Sequence, residues 1–305
     1  MLRSNARRRR PQVRVHRGRR GLTAATTAIA VLGLAALVDC EPLAGASALN
    51  YVALGDSYTS GDGIPPASPT APVDCAQSAS DYPHLTAIAS GVNLKDASCA
   101  GADSADMTTE QYPDQPPQFS ALSPSTNVVS VGIGGNDHNL FSDALVDCGI
   151  ADVLDFLNIG SPCKAIYGNT FLSYIASDAA TIGAVVQGIH SRSPIATVFV
   201  VGYPDIMPQT GRCYPTMPFT TGDTAYLNAL EKSLNAMLQR QALANNAIFV
   251  DTFSQSIGHD ACESPSVRWV NPIIASGGGV SVHPNPAGAF EMGVALQAAL
   301  RANGL

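Results

Sequence analysis

Five short runs of apolar and β-branched residues punctuate the chain, at 51–54, 92–94, 127–133, 196–201 and 247–250, and each is short enough to be a strand. Between them, apolar positions at helical spacing predict helices over 81–90, 171–191, 223–245 and 286–302. The last is the best marked, with Asn285 placed to cap the first turn and Pro286 in the first helical position, where a missing N–H is harmless. Strand and helix in alternation imply an α/β fold, a parallel sheet covered by helices on both faces. In such sheets ligands bind beyond the carboxyl ends of the strands. Ser57, residues 134–137, Tyr203-Pro204 and Asp251 all fall there. The connections at 62–83, 112–124 and 204–219 are long and proline-rich, and 148–168 reads as a cysteine-bridged loop. Long ordered loops over a rigid sheet tend to shape a binding site. No internal repeat is present, and Gly277-Gly278-Gly279 reads as a plain flexible loop, with a hinge as the other reading.

The N-terminus changes the picture of where the protein works. Nine arginines fall within the first twenty residues, an apolar small-residue stretch follows at 21–38, and Ala46-Ser47-Ala48 supplies a small-residue cleavage pattern. This is the build of an export signal, expected to occupy 1–48 and to leave 49–305 as one domain. Arg19-Arg20 suits a twin-arginine route as well as an ordinary secretory one. Cys40 follows Asp39, which is wrong for a lipoprotein site, so it is expected to leave with the signal. The apolar stretch is marginal for a bilayer span, so no stable membrane anchor is expected after cleavage.

Without residues 1–48 the charges are 17 − 9 = 8 basic against 24 − 2 = 22 acidic, a net of −14. Such a surface repels phosphate backbones, which excludes nucleic acid as a partner. Six cysteines remain, Cys75, Cys99, Cys148, Cys163, Cys213 and Cys262, an even set in an exported chain that reads as three disulfides. Of the possible pairings the sequential one is expected, because each interval then clips one local loop, worth about 3 to 4 kcal/mol apiece in the loop-entropy account. No Cys-x-x-Cys or His-x-x-x-His spacing supports a metal, and neither metal nor cofactor is expected.

The candidate chemistry starts at Gly55-Asp56-Ser57, a tripeptide that is a weak signal alone. Its company makes it specific. Gly55-Asp56-Ser57 with Gly61, then Gly101, then Gly134-x-Asn136-Asp137, then His283-Pro284 together resemble the GDSL esterases of the SGNH hydrolase superfamily over nearly all of 49–305. The acidic, cysteine-paired form looks most like the actinomycete extracellular lipases and phospholipases A of that family. The Gly-x-Ser-x-Gly elbow of the α/β-hydrolases is absent around Ser57. The resemblance implies a three-layer α/β/α sandwich, doubly wound and flavodoxin-like, with about five parallel strands. It also implies a serine ester hydrolase working through an acyl-enzyme.

On that reading Ser57 is the nucleophile and His283 the base that takes its proton and returns it to the leaving alcohol. The resemblance assigns the oxyanion hole to the backbone N–H groups of Ser57 and Gly101 and the side-chain amide of Asn136; an amide donates without a charge that would hold the ground state equally well. A side chain at Gly101 is expected to block close backbone approach. Asp56 and Asp137 read as structural acceptors, the latter fixing the rotamer of Asn136, while His138 is the other histidine able to approach the site. Many family members carry Asp-x-x-His, whereas this chain has Val280-Ser281-Val282-His283. A carbonyl of Ser281 or Val280 is therefore expected to orient the imidazole, with Asp251 as the other candidate.

Trp269, Ile273 and Ile274, together with Tyr203, Met207, Met217 and Phe219, are candidates to line an acyl groove, and ordinary loop packing is an equal account of them. The expected partner is an ester or lipid substrate met by a monomer. A carbohydrate acetyl esterase is the alternative enzyme, and a non-catalytic binding module the alternative from another class.

Overall fold

The computed structural model describes residues 48–113, 115–153, 157–274 and 279–305. The expected export signal up to residue 47, Cys40 with it, and the first two glycines of the 277–279 run lie outside them. In chain order the strands are β1 (Asn50–Gly55), β2 (Asn93–Asp96), β3 (Val128–Gly132), β4 (Thr197–Val201) and β5 (Ile248–Val250). The helices are α1 (Ser57–Ser60), α2 (Tyr82–Ser90), α3 (Leu140–Asp152), α4 (Pro162–Tyr167), α5 (Thr170–Arg192), α6 (Thr221–Ala244), α7 (Phe253–Ser256) and α8 (Pro286–Ala302).

All five strands run parallel in the order β2-β1-β3-β4-β5. Strands buried on both faces read as nearly continuous apolar runs, and β3 and β4 do, with Ser130 of β3 paired to the Tyr51 hydroxyl at 2.6 Å. Side chains of alternate parity serve opposite layers. Val52, Leu54, Val129, Val131, Val198 and Val200 pack with Ile182, Val186 and Ile189 of α5 and Leu234 and Leu238 of α6. Tyr51, Ala53, Val128, Phe199 and Val201 pack on the other side with Met292, Leu296 and Leu300 of α8 and Tyr82 and Ala87 of α2. Each large apolar side chain enclosed this way stabilises the fold by about 1.5–3 kcal/mol. The architecture is thus the α/β/α sandwich that the sequence implies.

The order reverses between β1 and β3, so the connections leaving them diverge and open a crevice at their carboxyl ends. Gly55 makes the close approach possible, since a Cβ there would stand 2.4 Å from the Gly132 carbonyl and 2.2 Å from Thr59 Oγ1. Asn285 caps α8 as expected, accepting the Ala287 and Gly288 N–H groups at 2.9 and 3.0 Å.

The segment 148–168 is not a loop: α3 and α4 occupy most of it, and Cys148–Cys163 staples the two helices together. The pattern is hard to see because α3 is apolar on more than one side, Ala144 and Cys148 facing inward while Val146 and Ile150 stand exposed. The other pairs are Cys75–Cys99 and Cys213–Cys262, the sequential arrangement.

Candidate active site

Ser57 opens α1 immediately beyond β1. The turn is held by Asp56, whose Oδ1 accepts the Tyr58 N–H at 2.9 Å, and by Gly61, which ends the helix in the left-handed region at φ 70°. Asp56 Oδ2 accepts the Tyr203 hydroxyl at 2.5 Å, and that hydroxyl in turn accepts the Gly135 N–H at 2.8 Å. One buried chain of bonds therefore fixes the serine turn to the turn after β3. Burial raises the Asp56 carboxyl to about 7, against the pull of its bonds from Tyr203 and Tyr58. Asp56 is thus the structural acceptor expected, and it does not touch the imidazole.

His283 arrives from the segment before α8. Its Nε2 lies 2.7 Å from Ser57 Oγ and its Nδ1 lies 2.8 Å from the Ser281 carbonyl. A carbonyl only accepts, so the proton sits on Nδ1 and the Nε2 lone pair faces the serine hydroxyl. The Val280 carbonyl does not orient the ring; it accepts the His283 main-chain N–H at 3.4 Å and the Asn271 amide at 3.3 Å. Asp251 does not orient it either, because its carboxylate accepts the Ser254 N–H and hydroxyl at 2.9 and 2.6 Å and is spent on the first turn of α7. Burial lowers the His283 pKa below its ordinary 6.5, while the Ser281 carbonyl and Asp62 act the other way.

Two supports of the imidazole carry no obvious mark in the sequence. The Tyr58 ring packs 5.0 Å from the His283 ring and its hydroxyl donates to the Val282 carbonyl. Asn271 binds on the other side, its carbonyl accepting the Val282 N–H and its N–H donating to the His283 carbonyl, both at 2.9 Å. Between these clamps Val282 stands at φ 55°, a position a β-branched residue occupies only when its surroundings enforce it.

Asn136 shares the cleft with Ser57 and His283. One amide N–H donates to the Ala102 carbonyl at 2.9 Å, which fixes the side chain and leaves the second N–H for a ligand. Asp137 does not hold Asn136; its carboxylate accepts the Ser104 N–H and hydroxyl at 2.7 and 2.6 Å, tying down the loop that carries Gly101. The N–H groups of Ser57 and Gly101 donate to no described residue. The demand for glycine at 101 is conformational rather than steric, since φ is 78° and an added Cβ would meet nothing nearer than 3.6 Å. His138 faces Asp178 at 3.0 Å and Tyr174, away from the serine.

The cleft, of about 170 Å³, is lined by Asp56, Ser57, Tyr58, Asn136, Phe141, Ser142, Leu145, Val282 and His283. Ser142, Leu145 and Val282 also border an apolar groove of about 500 Å³ that runs along α3 past Val146, Ile150 and Val153 to Pro218 and Ile273. Of the residues expected to line such a groove, Ile273 does. Tyr203, Met207, Met217 and Phe219 are buried in the core instead, and Trp269 stacks on His259 at 4.0 Å.

The chain matches the GDSL-like lipase/acylhydrolase family over residues 53–289. It is 39% identical to Lipase 2 of Streptomyces coelicolor over 280 residues, covering 90% of this chain and 94% of that one. The crystal structure of phospholipase A1 from Streptomyces albidoflavus NA297 superposes with a TM-score of 0.69 at 27% identity, covering 83% of this chain and 99% of that chain. The extracellular lipase of Streptomyces rimosus gives 0.68 at 28% identity with the same coverage. The chain belongs to the GDSL-like lipase/acylhydrolase family and is a carboxylic ester hydrolase of the lipase and esterase kind.

Proposed function

We propose that this hydrolase is exported, acts as a monomer through a single domain at 49–305, and cleaves acyl esters of lipids by a Ser57–His283 dyad. The observation that carries the reading is the 2.7 Å contact between His283 Nε2 and Ser57 Oγ, with Nδ1 already held. As Ser57 Oγ attacks the ester carbonyl carbon, His283 takes the hydroxyl proton. The new oxyanion is met by the Ser57 and Gly101 N–H groups and the free amide N–H of Asn136, all preorganised before charge develops. Collapse breaks the ester C–O bond, the imidazolium passes its proton to the departing alcohol, and the acyl group stays on Ser57. Water then attacks the acyl carbon, giving a proton to His283, and the carboxylic acid leaves as Ser57 recovers its hydrogen. A carbonyl behind the imidazole stabilises the cation less than a carboxylate would, which places more weight on the oxyanion hole.

The apolar groove leading from the cleft supports an alkyl tail over an acetyl group. Export is supported by the arginine-rich leader, by three disulfides suited to an oxidising compartment, and by the relative described as extracellular. Among the described residues no helix is long and apolar enough to cross a membrane.

The test pairs a substrate panel with four variants. Against p-nitrophenyl esters of rising chain length, a triglyceride and a phosphatidylcholine, octanoyl and longer esters are expected to outrun acetyl. Ser57→Ala and His283→Ala are expected to lose about 10³-fold or more in kcat. Asn136→Ala is expected to lose about 10² to 10³-fold, and Asp251→Asn to stay near wild type. Equal losses in Asp251→Asn and His283→Ala would overturn the dyad, and a steep preference for acetyl would favour the carbohydrate-ester reading.

A further inference from the structure

Away from the cleft, α2 and the end of β2 bring two enclosed carboxylates against one imidazole. Asp81 caps α2, its Oδ1 accepting the His84 N–H at 2.8 Å and facing His84 Nδ1 at 2.8 Å. Asp96 closes β2, its Oδ1 accepting the Ser98 N–H and hydroxyl at 2.9 and 2.6 Å. The second oxygen of each carboxyl is fully enclosed and takes no hydrogen bond from any described residue. His84 Nδ1 lies 3.7 Å from Asp96 Oδ2, and one ligand atom from each of the three residues falls within 4.8 Å of the others. The side chains of Asp81 and Asp96 are 0% and 4% exposed, whereas His84 is 28% exposed and leaves a path to solvent.

Two bare carboxylate oxygens enclosed side by side are costly unless a positive charge joins them. Neither a lysine nor an arginine forms an ion pair with them among the described residues; the neighbour that faces both is the His84 ring. The donor set, two carboxylates and a neutral imidazole nitrogen with an open side for water, fits a divalent first-row cation at about 2.0–2.2 Å from each ligand.

We propose that Asp81, His84 and Asp96 form a binding site for one divalent cation of the Zn²⁺ or Mn²⁺ kind. The ring ligates through Nδ1 as neutral imidazole, its one proton held on Nε2. The role is structural, because none of the three residues touches Ser57, Asn136 or His283. What the cation fastens is the support of the serine turn. Gly61 at the end of α1 packs against Asp81, where a Cβ would come within 2.8 Å of the Asp81 Cβ. Gln77, two residues from the Cys75–Cys99 bridge, donates to the Ser98 carbonyl at 2.6 Å. The ligand spacing is invisible as a motif because the third ligand comes from a different element, twelve residues beyond the second.

The test is a titration of the full chain, stripped by a chelator, with ZnCl₂ and with MnCl₂, followed by calorimetry and by thermal unfolding. Saturable uptake of one cation per chain is expected in the wild type and equally in a Ser57→Ala, His283→Ala double variant. The melting midpoint should rise with the logarithm of metal concentration. His84→Gln and Asp96→Asn are each expected to weaken binding by about tenfold or more and to abolish the metal-dependent rise, while keeping esterase activity on a short ester as proof of folding. No saturable binding in the wild type at millimolar metal, or binding untouched in both variants, would overturn the proposal and leave a proton shared between the two carboxyls. The wild-type titration decides alone should the variants fail to fold.

Discussion

The imidazole of His283 is held by what encloses it. The Tyr58 ring lies against it, the Ser281 carbonyl fixes its Nδ1, and burial lowers its pKa below 6.5, with Ser281 and Asp62 opposing. A general base works as the neutral ring, so kcat/KM should rise with pH through that lowered pKa and level off above it. The acid limb measured on a short soluble ester is therefore expected to have its midpoint below 6.5, the ordinary histidine value. A midpoint above that value would mean a carboxylate stands behind the ring, since an anion favours the imidazolium. Ser57, His283, Asn136 and Gly101 were legible as candidates through their company, because the resemblance to the GDSL esterases rests on all four segments and no one of them carries it alone. The orienter was only half legible: the missing acid three residues before His283 pointed to a carbonyl, but whether Ser281 or Val280 supplied it depends on backbone torsions. The unusual φ of Val282 and the Tyr58 bond to its carbonyl left no trace in residue type at all.

Among the elements, α3 does most to set what the cleft receives. It presents Leu145 to the cleft and Val146 and Ile150 to the groove, with Val153 just beyond its end, and the latter three are 58%, 67% and 62% exposed. Ile150→Glu should leave stability within about 0.5 kcal/mol, as an exposed substitution away from caps and core. It should lower kcat/KM on a decanoyl ester by about tenfold, roughly the loss of two methylene groups from an apolar surface, and leave a butyryl ester nearly unchanged. Rates on the two p-nitrophenyl esters check this, and an equal fall on both would place the acyl chain elsewhere. The same helix explains where pattern reading stopped. The strands were legible as short, nearly continuous apolar runs, and α2, α5, α6 and α8 because each buries one face against the sheet and shows the other to water. In α3 the apolar residues serve two surfaces, the core and an open groove, so no single stripe stands out. The candidates Tyr203, Met207, Met217 and Phe219 failed for the converse reason: a loop can fold back and bury its large side chains, and nothing in the composition of 204–219 tells a groove wall from a core plug.

At the scale of the whole molecule, the buried face beneath the cleft is unusually acidic, and this ties stability to pH. Burial raises Asp56 to about 7 beside Tyr203, Tyr58 and Asp137. It raises Asp205 to about 7 near Asp260 and Lys232, and lifts Glu231 well above the carboxylate range next to Asp205. One Glu231 oxygen accepts the Ile206 N–H at 3.1 Å while the other meets no donor, which disfavours the charged form. These groups hold protons in the folded state over a range where the unfolded chain has released them. The native state binds more protons, so the unfolding free energy must fall as pH rises from about 4 through 7, by about 1.4 kcal/mol per pH unit for each proton retained. Denaturant unfolding in chelator is expected to show the protein most stable in mildly acidic buffer and weaker by a few kcal/mol at pH 8. Asp205→Asn should flatten part of that slope without moving the acid limb of catalysis, since Asp205 bonds Asn228, Gln209 and the Ser256 hydroxyl through its side chain and backbone rather than the dyad. A stability that instead rises steadily from pH 5 to 8 would show that these carboxyls are ionised and paired in the fold. The chain of bonds from Asp56 through Tyr203 to Gly135 would then be holding a charge rather than a proton.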